Sequence, residues 1–478
     1  MPVHELYEQI TQVSRLLLDF GDPYCMFPLS SSLTIGQLDL SFFSPKPHML
    51  HYNHHQANPD IPLDVVELIM KELAKDDDME TLQSCSLACR HFRSICQQHI
   101  FAAIKLDFSK RPFKNPLASR FRRLVDRNPS IARYVRSLDY VELFDSKRGA
   151  PVLRRFNHVN SFTFGFNNFD PLFPPRQDWD RMSMSLKTSL CCFIHANNIV
   201  ELHLFNIENF PMSLLLHFPA LSLLDIYQVN VVDSSLPVTF PGKEVTPRLS
   251  SLTVRAGTLL TVWDLLGSES GSIIDLRQLK ELSVCTQEEP GAMEIIHYIL
   301  RTTENIETVR LAGTLVSFAL PMSSLSSLPF LGHSPALTCL GNIASALSPG
   351  SLKTLKLIQF SPMLDSADED PYLDLTRELE AISGRNVLEE IIIDIDIETD
   401  DTCTTDPTKW AQLDNILSMA NGFPFLRRVD VKVTSWCYCG LGHKEFLEKM
   451  WDIGQNEFSR LVATKQVEFT FDVQVELI

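Results

Sequence analysis

Apolar residues along this chain follow two periods, and the change between them divides it. Between residues 58 and 104 they recur at helical spacing. Val66, Ile69, Met70 and Leu73 fall on one face of a helix. Asn58, Pro59, Asp60 and Pro62 ahead of them, with Asp64, make a helix-start signal. Lys75-Asp76-Asp77-Asp78 then reads as a polar break. A second helical run places Leu82, Cys85, Cys89 and Phe92 on one stripe, and a third short segment covers Ile95 to Ile104. So small a unit buries little surface and is marginal alone. Upstream, residues 4–19 predict one amphipathic helix through Leu6, Ile10, Val13, Leu16 and Leu17, and residues 20–57 read as linker.

From residue 105 onward a short cassette recurs, apolar-x-x-apolar-x-apolar. It reads Val135, Leu138, Tyr140, then Val159, Phe162, Phe164, then Ile199, Leu202, Leu204. It returns at Leu221, Leu224, Ile226, at Leu249, Leu252, Val254, and at Leu279, Leu282, Val284. Further copies are Ile306, Val309, Leu311, Leu352, Leu355, Leu357, Leu388, Ile391, Ile393, and Leu426, Val429, Val431. A last strand alternates Val467, Phe469, Phe471 and Val473. The final two apolar positions of each cassette lie at strand period. Helix-compatible stretches lie between cassettes, at 180–197, 292–301, 373–382 and 413–420. One strand and one helix per repeat, stacked, predicts an α/β fold: a small helical module followed by an irregular leucine-rich-repeat solenoid with parallel strands. An ordinary α/β domain with parallel strands is the alternative. The expected organisation is 1–57 helix and linker, 58–104 helical module, 105–478 degenerate repeat domain.

Composition narrows the function. With 45% hydrophobic and 21% charged residues the chain is ordinary globular protein. A net charge of −17 argues against a nucleic-acid or anionic-membrane surface over the whole chain. The charge is uneven: residues 105–155 hold fourteen Lys and Arg against five acids, and residues 361–410 fifteen acids against two Arg plus Lys409. Eleven scattered cysteines without framework spacing read as reduced thiols. No signal-peptide pattern and no apolar run near the roughly 20 residues of a membrane span is found, so cytoplasm or nucleus is the expected place.

The segment from Ile61-Pro62-Leu63-Asp64 to Ser86-Leu87-Ala88-Cys89-Arg90 resembles the F-box. That family opens on an apolar-Pro pair and an acidic residue, and continues with a Ser-Leu-Val-Cys-Arg-like signature. Here Ala88 replaces Val, and Phe92 stands where Trp is usual. The resemblance covers about 45 of the 478 residues. With a repeat tail behind it, the chain looks like the fungal-type F-box proteins. The resemblance implies binding to a Skp-family adaptor and, through it, to an SCF-type cullin–RING ubiquitin ligase, with the repeats holding a target protein. Helix-in-groove docking needs exposed apolar anchors. The adaptor-binding candidates are Ile61, Pro62, Leu63, Val66, Met70, Leu82 and Leu87. For Val66 and Leu82 a plain core role competes; Pro62 and Leu63 are the better contacts. The alternative function is an interaction scaffold outside ubiquitin transfer, with the F-box-like helices as a cap.

Candidate chemistry elsewhere is sparse. There is no Gly-rich phosphate loop, nucleophile elbow or paired Cys/His of catalytic context, so no catalytic residue and no cofactor are expected. His48, His51, His54 and His55 cluster in a stretch that reads as loop. Cys437, Cys439 and His443 have zinc-like spacing but lack a fourth ligand, so no metal is expected. Asp394, Asp396, Glu398, Asp400 and Asp401 mimic a calcium run, yet Ile391, Ile393, Ile395 and Ile397 alternate with them, which is strand patterning. The outward residues Glu390, Asp394, Asp396 and Glu398 would then form an acidic strip. It would serve as a solvated edge or as a reader of a basic target segment.

Overall fold

Among the described residues three short helices come first: α1 (Leu63–Lys75), α2 (Met79–Ala88) and α3 (Arg90–Ile100). Pro62 precedes α1 with its φ fixed near the value the entry needs (−54°). Asp64 in the first turn and Lys75 in the last complement the helix dipole. The predicted stripe Val66, Ile69, Met70 and Leu73 is buried. At the polar break Asp77 turns left-handed (φ 55°), and the Asp78 carboxylate accepts the Thr81 N–H at 3.0 Å, capping α2. Leu82 and Cys85 on α2 and Ile95, Cys96 and Ile100 on α3 close the core; the Cys96 thiol donates to Met70 Sδ at 3.5 Å.

The structure, a computed structural model, describes residues 62–88, 90–108, 116–142, 150–166, 177–232, 244–255, 258–267, 272–286, 291–314, 343–364, 373–398, 407–437, 443–464 and 466–477. The expected helix at 4–19, the linker to residue 57, the four histidines, Ile61 and Cys89 lie outside the described residues. Two helical readings are corrected. The second helix does not run on to Phe92, which belongs to α3. Ile104 is in a strand: Ile104 and Leu106 alternate across Lys105, a two-residue period that the helical spacing up to Ile100 concealed.

The strands are β1 (Ala103–Asp107), β2 (Ser137–Glu142), β3 (Ser161–Phe166), β4 (Gln177–Asp178), β5 (Glu201–Pro211), β6 (Leu223–Val232) and β7 (Ser251–Arg255). They continue as β8 (Glu281–Thr286), β9 (Thr308–Thr314), β10 (Leu357–Leu364), β11 (Glu390–Glu398), β12 (Arg428–Cys437) and β13 (Glu468–Leu477). Together they form one parallel sheet of 13 strands in a mixed α/β fold. Neighbours follow chain order, and β4 alone lies off the path, against β5. The chain divides into two units, residues 1–207 with 235–243, and residues 208–234 with 244–478.

In the first unit the ladders place Leu138 beside Phe162 and Phe162 beside Leu202, with Tyr140, Phe164 and Leu204 one step along. Phe162 and Phe164 stack, and Phe193 from the helix Met184–Ala196 closes on Phe162 at 4.5 Å. In the second unit Leu224, Leu252, Leu282 and Val309 form one buried row across four strands. The row continues through Ile358, Ile391 and Val429.

One cassette is corrected. The buried inward residues are Leu355, Ile358 and Phe360, not Leu352, Leu355 and Leu357. Two overlapping matches to the pattern exist there. Pairing decides between them: Ile358 sits beside Val309 and Ile391, which turns Leu357 to the opposite face.

Backbone bonds lock the register. Lys280 O accepts the N–H groups of Glu307 (2.7 Å) and Thr308 (2.9 Å). Glu307 O does the same for Lys356 (2.8 Å) and Leu357 (3.1 Å), and Lys356 O for Glu389 (2.8 Å) and Glu390 (3.0 Å). Helices fall between strands, among them Ala292–Thr302 and Leu373–Ile382, close to expectation. The helix expected at 413–420 is Pro407–Leu417 instead, because Pro407 suits a first helical position. On β10 and β11 the inward residues are buried and the described side chains between them stay half-exposed.

Candidate docking surfaces

On the helical module the apolar surface divides cleanly. Val66, Met70 and Leu82 are buried in the module's own core, so they offer nothing to a partner, and their assignment as contacts is corrected. Leu63 and Leu68 are each 53% exposed and Leu87 49%, with Pro62 exposed beside them. Val65 is also exposed. Val65 and Leu68 were missed by the sequence reading. The available signal was an apolar residue standing off the buried stripe of α1, among Glu67, Lys71 and Glu72. Three large aliphatic side chains are left to water on a small module, and each is an apolar anchor that a partner could cover. On α3, burial first and the Lys71 charge second push His99 below its usual value, so its imidazole is neutral at pH 7.

The second surface is the half-exposed face of the sheet in the second unit. On β11 Ile391, Ile393, Ile395 and Ile397 are buried, while Glu390, Asp394 and Asp396 alternate with them. Glu398 pairs with Trp436 in the ladder; its side chain, Asp400, Asp401 and Asp406 lie outside what is described. The strip is not purely acidic. β12 sets Arg428 opposite Glu390, with a contact of 3.3 Å, and Lys432 opposite Asp394. Arg428 also pairs with Asp430 at 2.6 Å, and Trp436 Nε1 donates to Asp396 at 3.2 Å. Beyond them β13 carries exposed Glu468, Asp472 and Glu476. Burial pushes the Asp394 carboxyl up, partly opposed by Lys432 and reinforced by Asp396. These basic neighbours were not foreseen because residues about forty positions apart become adjacent only through pairing.

The side chain of Cys437, with Cys439 and His443, lies outside the described side chains. Among the described residues no group of three His, Cys, Asp or Glu is arranged to hold a metal ion. No described helix is long and apolar enough to cross a membrane. No protein-family model matches the chain, and none of the curated proteins matches it.

Proposed function

We propose that this chain is a substrate receptor of an SCF-type cullin–RING ubiquitin ligase. In this reading α1–α3 are an F-box-like module that binds a Skp-family adaptor. The sheet domain is an irregular leucine-rich-repeat solenoid that holds a target protein. The observation that carries the reading is the pairing of a closed internal core with Pro62, Leu63, Leu68 and Leu87 left outside it. Helix-in-groove recognition uses anchors of this kind. The order of the Ile61-Pro62 and Ser86-Leu87-Ala88-Cys89-Arg90 segments supports the same assignment. The solenoid reading is supported by strands that neighbour each other in chain order and by a carbonyl position repeated before successive strands.

Such a receptor performs no bond chemistry itself. It raises the effective concentration of target lysines near a conjugating enzyme recruited elsewhere, in the cytoplasm or nucleus. The test is surface plasmon resonance of the full chain over an immobilised Skp-family adaptor. Wild type binds, and Leu63→Asp with Leu68→Asp abolishes binding without loss of helix signal. A folded wild-type chain that gives no response at micromolar adaptor ends the proposal.

A further inference from the structure

Across β9–β13, all within the second unit, the half-exposed sheet face changes character from one strand to the next. On β9 the half-buried Arg310 stands between Ser283 and Gln359 in the ladder. Among the described residues it has no ion-pair or hydrogen-bond partner. Glu281 sits diagonally on the neighbouring strand, but its carboxylate accepts from the Ser251 hydroxyl at 3.5 Å. Next come two half-buried aliphatic side chains on the same face, Leu357 on β10 and Ile392 on β11. Then come the carboxylates Glu390, Asp394 and Asp396 on β11 and Glu468, Asp472 and Glu476 on β13, against Arg428 and Lys432 on β12 between them. Parallel sheets are ordinarily covered on both faces. This face carries a guanidinium without a partner among the described residues, an apolar centre and an acidic end, which is the complement of a bipolar ligand.

We propose that this face binds an extended segment of the target protein laid across the strands. The segment sets an anionic side chain, carboxylate or phosphate, on Arg310, an apolar residue on Leu357 and Ile392, and basic residues over β11–β13. An arginine fork suits both oxyanions. Strands lie about 4.8 Å apart, so β9 to β13 spans roughly 19 Å, or about six extended residues. That fixes the approximate spacing between the anion and the last base. The proposal rests on the target-holding role given to the sheet domain and not on the adaptor contact.

The test uses the full chain and fluorescein-labelled synthetic peptides of ten residues, read by anisotropy at low salt. One has Glu at one end, Leu-Ile at the centre and Arg at the other; a second replaces Glu with phosphoserine. All-basic and all-acidic peptides with the same centre are the comparison. The bipolar peptides are expected to bind at least tenfold tighter than either single-charge peptide. Arg310→Glu lowers their affinity at least tenfold and leaves the all-basic peptide as tight or tighter. The Glu and phosphoserine arms tell which oxyanion is preferred. An all-basic peptide that binds best, no binding by any peptide, or an Arg310→Glu variant indistinguishable from wild type overturns the proposal. Adaptor binding measured on the same preparation separates the two readings. Peptide failure with adaptor binding removes only the sheet-face assignment, and the reverse pattern removes only the ligase assignment.

Discussion

If the module docks through its exposed leucines, trimming them weakens binding by an amount their exposure fixes. The perturbation is Leu63→Ala, Leu68→Ala and Leu87→Ala together in the full chain. Fully burying a Leu side chain contributes about 1.5–3 kcal/mol. These side chains are about half exposed (53%, 53% and 49%), so a partner gains roughly half of that from each. Three contribute about 2.3–4.5 kcal/mol, or roughly 40-fold to 10³-fold in Kd. Alanine is at least as good a helix former as leucine, so the helices themselves do not suffer. The assay is calorimetric titration with a Skp-family adaptor, alongside thermal melting of the free chain. Melting stays nearly unchanged, because exposed positions carry little folding energy. Leu82→Ala is the contrast: Leu82 is wholly buried, so the same truncation costs about 2–5 kcal/mol of stability and takes binding with it. A triple variant that melts normally and binds within threefold of wild type refutes the assignment of this surface.

Asn386 is buried, and its amide donates to Ile382 O (2.9 Å) and Gly422 O (3.0 Å) while its oxygen accepts the Leu388 N–H (3.2 Å). Both carbonyls keep a backbone donor, so Asn386→Ala mainly orphans the Leu388 N–H and costs about 1–3 kcal/mol in urea titrations followed by tryptophan fluorescence; less than about 0.5 kcal/mol rejects the bridging role. Asp394 has its carboxyl raised above the usual 3.8 by burial, so its favourable contribution holds below that pH and is lost as pH rises through the folded value. Asp394→Asn therefore melts higher than wild type at pH 7 and like it near pH 3.5, and an equal shift at both pH values sinks the argument.

Periodicity made the strands legible and left their registration unreadable. Each first cassette residue that the pattern placed inward, from Val135 to Leu426, is buried, except in the copy read from Leu352. There Leu352-x-x-Leu355-x-Leu357 and Leu355-x-x-Ile358-x-Phe360 satisfy the same rule, and only the neighbouring strands distinguish them. The first strand was missed for a related reason. Five residues are too few to override a helical pattern immediately before them. On the module, apolar spacing found the core but named core residues as contacts, since a stripe shows which face is apolar and not whether it is already covered. Leu68 was visible only as an exception to that stripe. The sheet face was half legible. The outward carboxylates of β11 follow from alternation, whereas Arg428, Lys432 and Arg310 join them through long-range pairing alone.

Repeats of unequal length leave open how neighbouring strands keep one register, and the charges just before the strands answer part of it. Lys280, Glu307, Lys356, Glu389 and Arg427 occupy the same ladder position and alternate in sign. Lys280 meets Glu307 at 3.1 Å, Lys356 meets Glu307 at 3.8 Å, and Arg427 meets Glu389 at 3.6 Å. A two-residue slip would keep apolar residues inward, so core burial alone does not exclude it. It would break these pairs and the doubled carbonyl contacts together. Each exposed pair is worth little by itself, so the ladder acts through discrimination more than through total stability. Hydrogen bonding to Lys280 chiefly holds the Glu307 carboxyl below its usual 4.5, so its contribution is present above that pH and fades as pH falls through the folded value. Glu307→Lys would set three like charges side by side. Its melting temperature should fall below wild type at low salt and recover much of the loss at 1 M salt, where the screening length is about 3 Å. Glu307→Gln should show a smaller loss with weaker salt dependence. A Glu307→Lys deficit that persists unchanged at high salt would mean packing, not charge order, sets the register here.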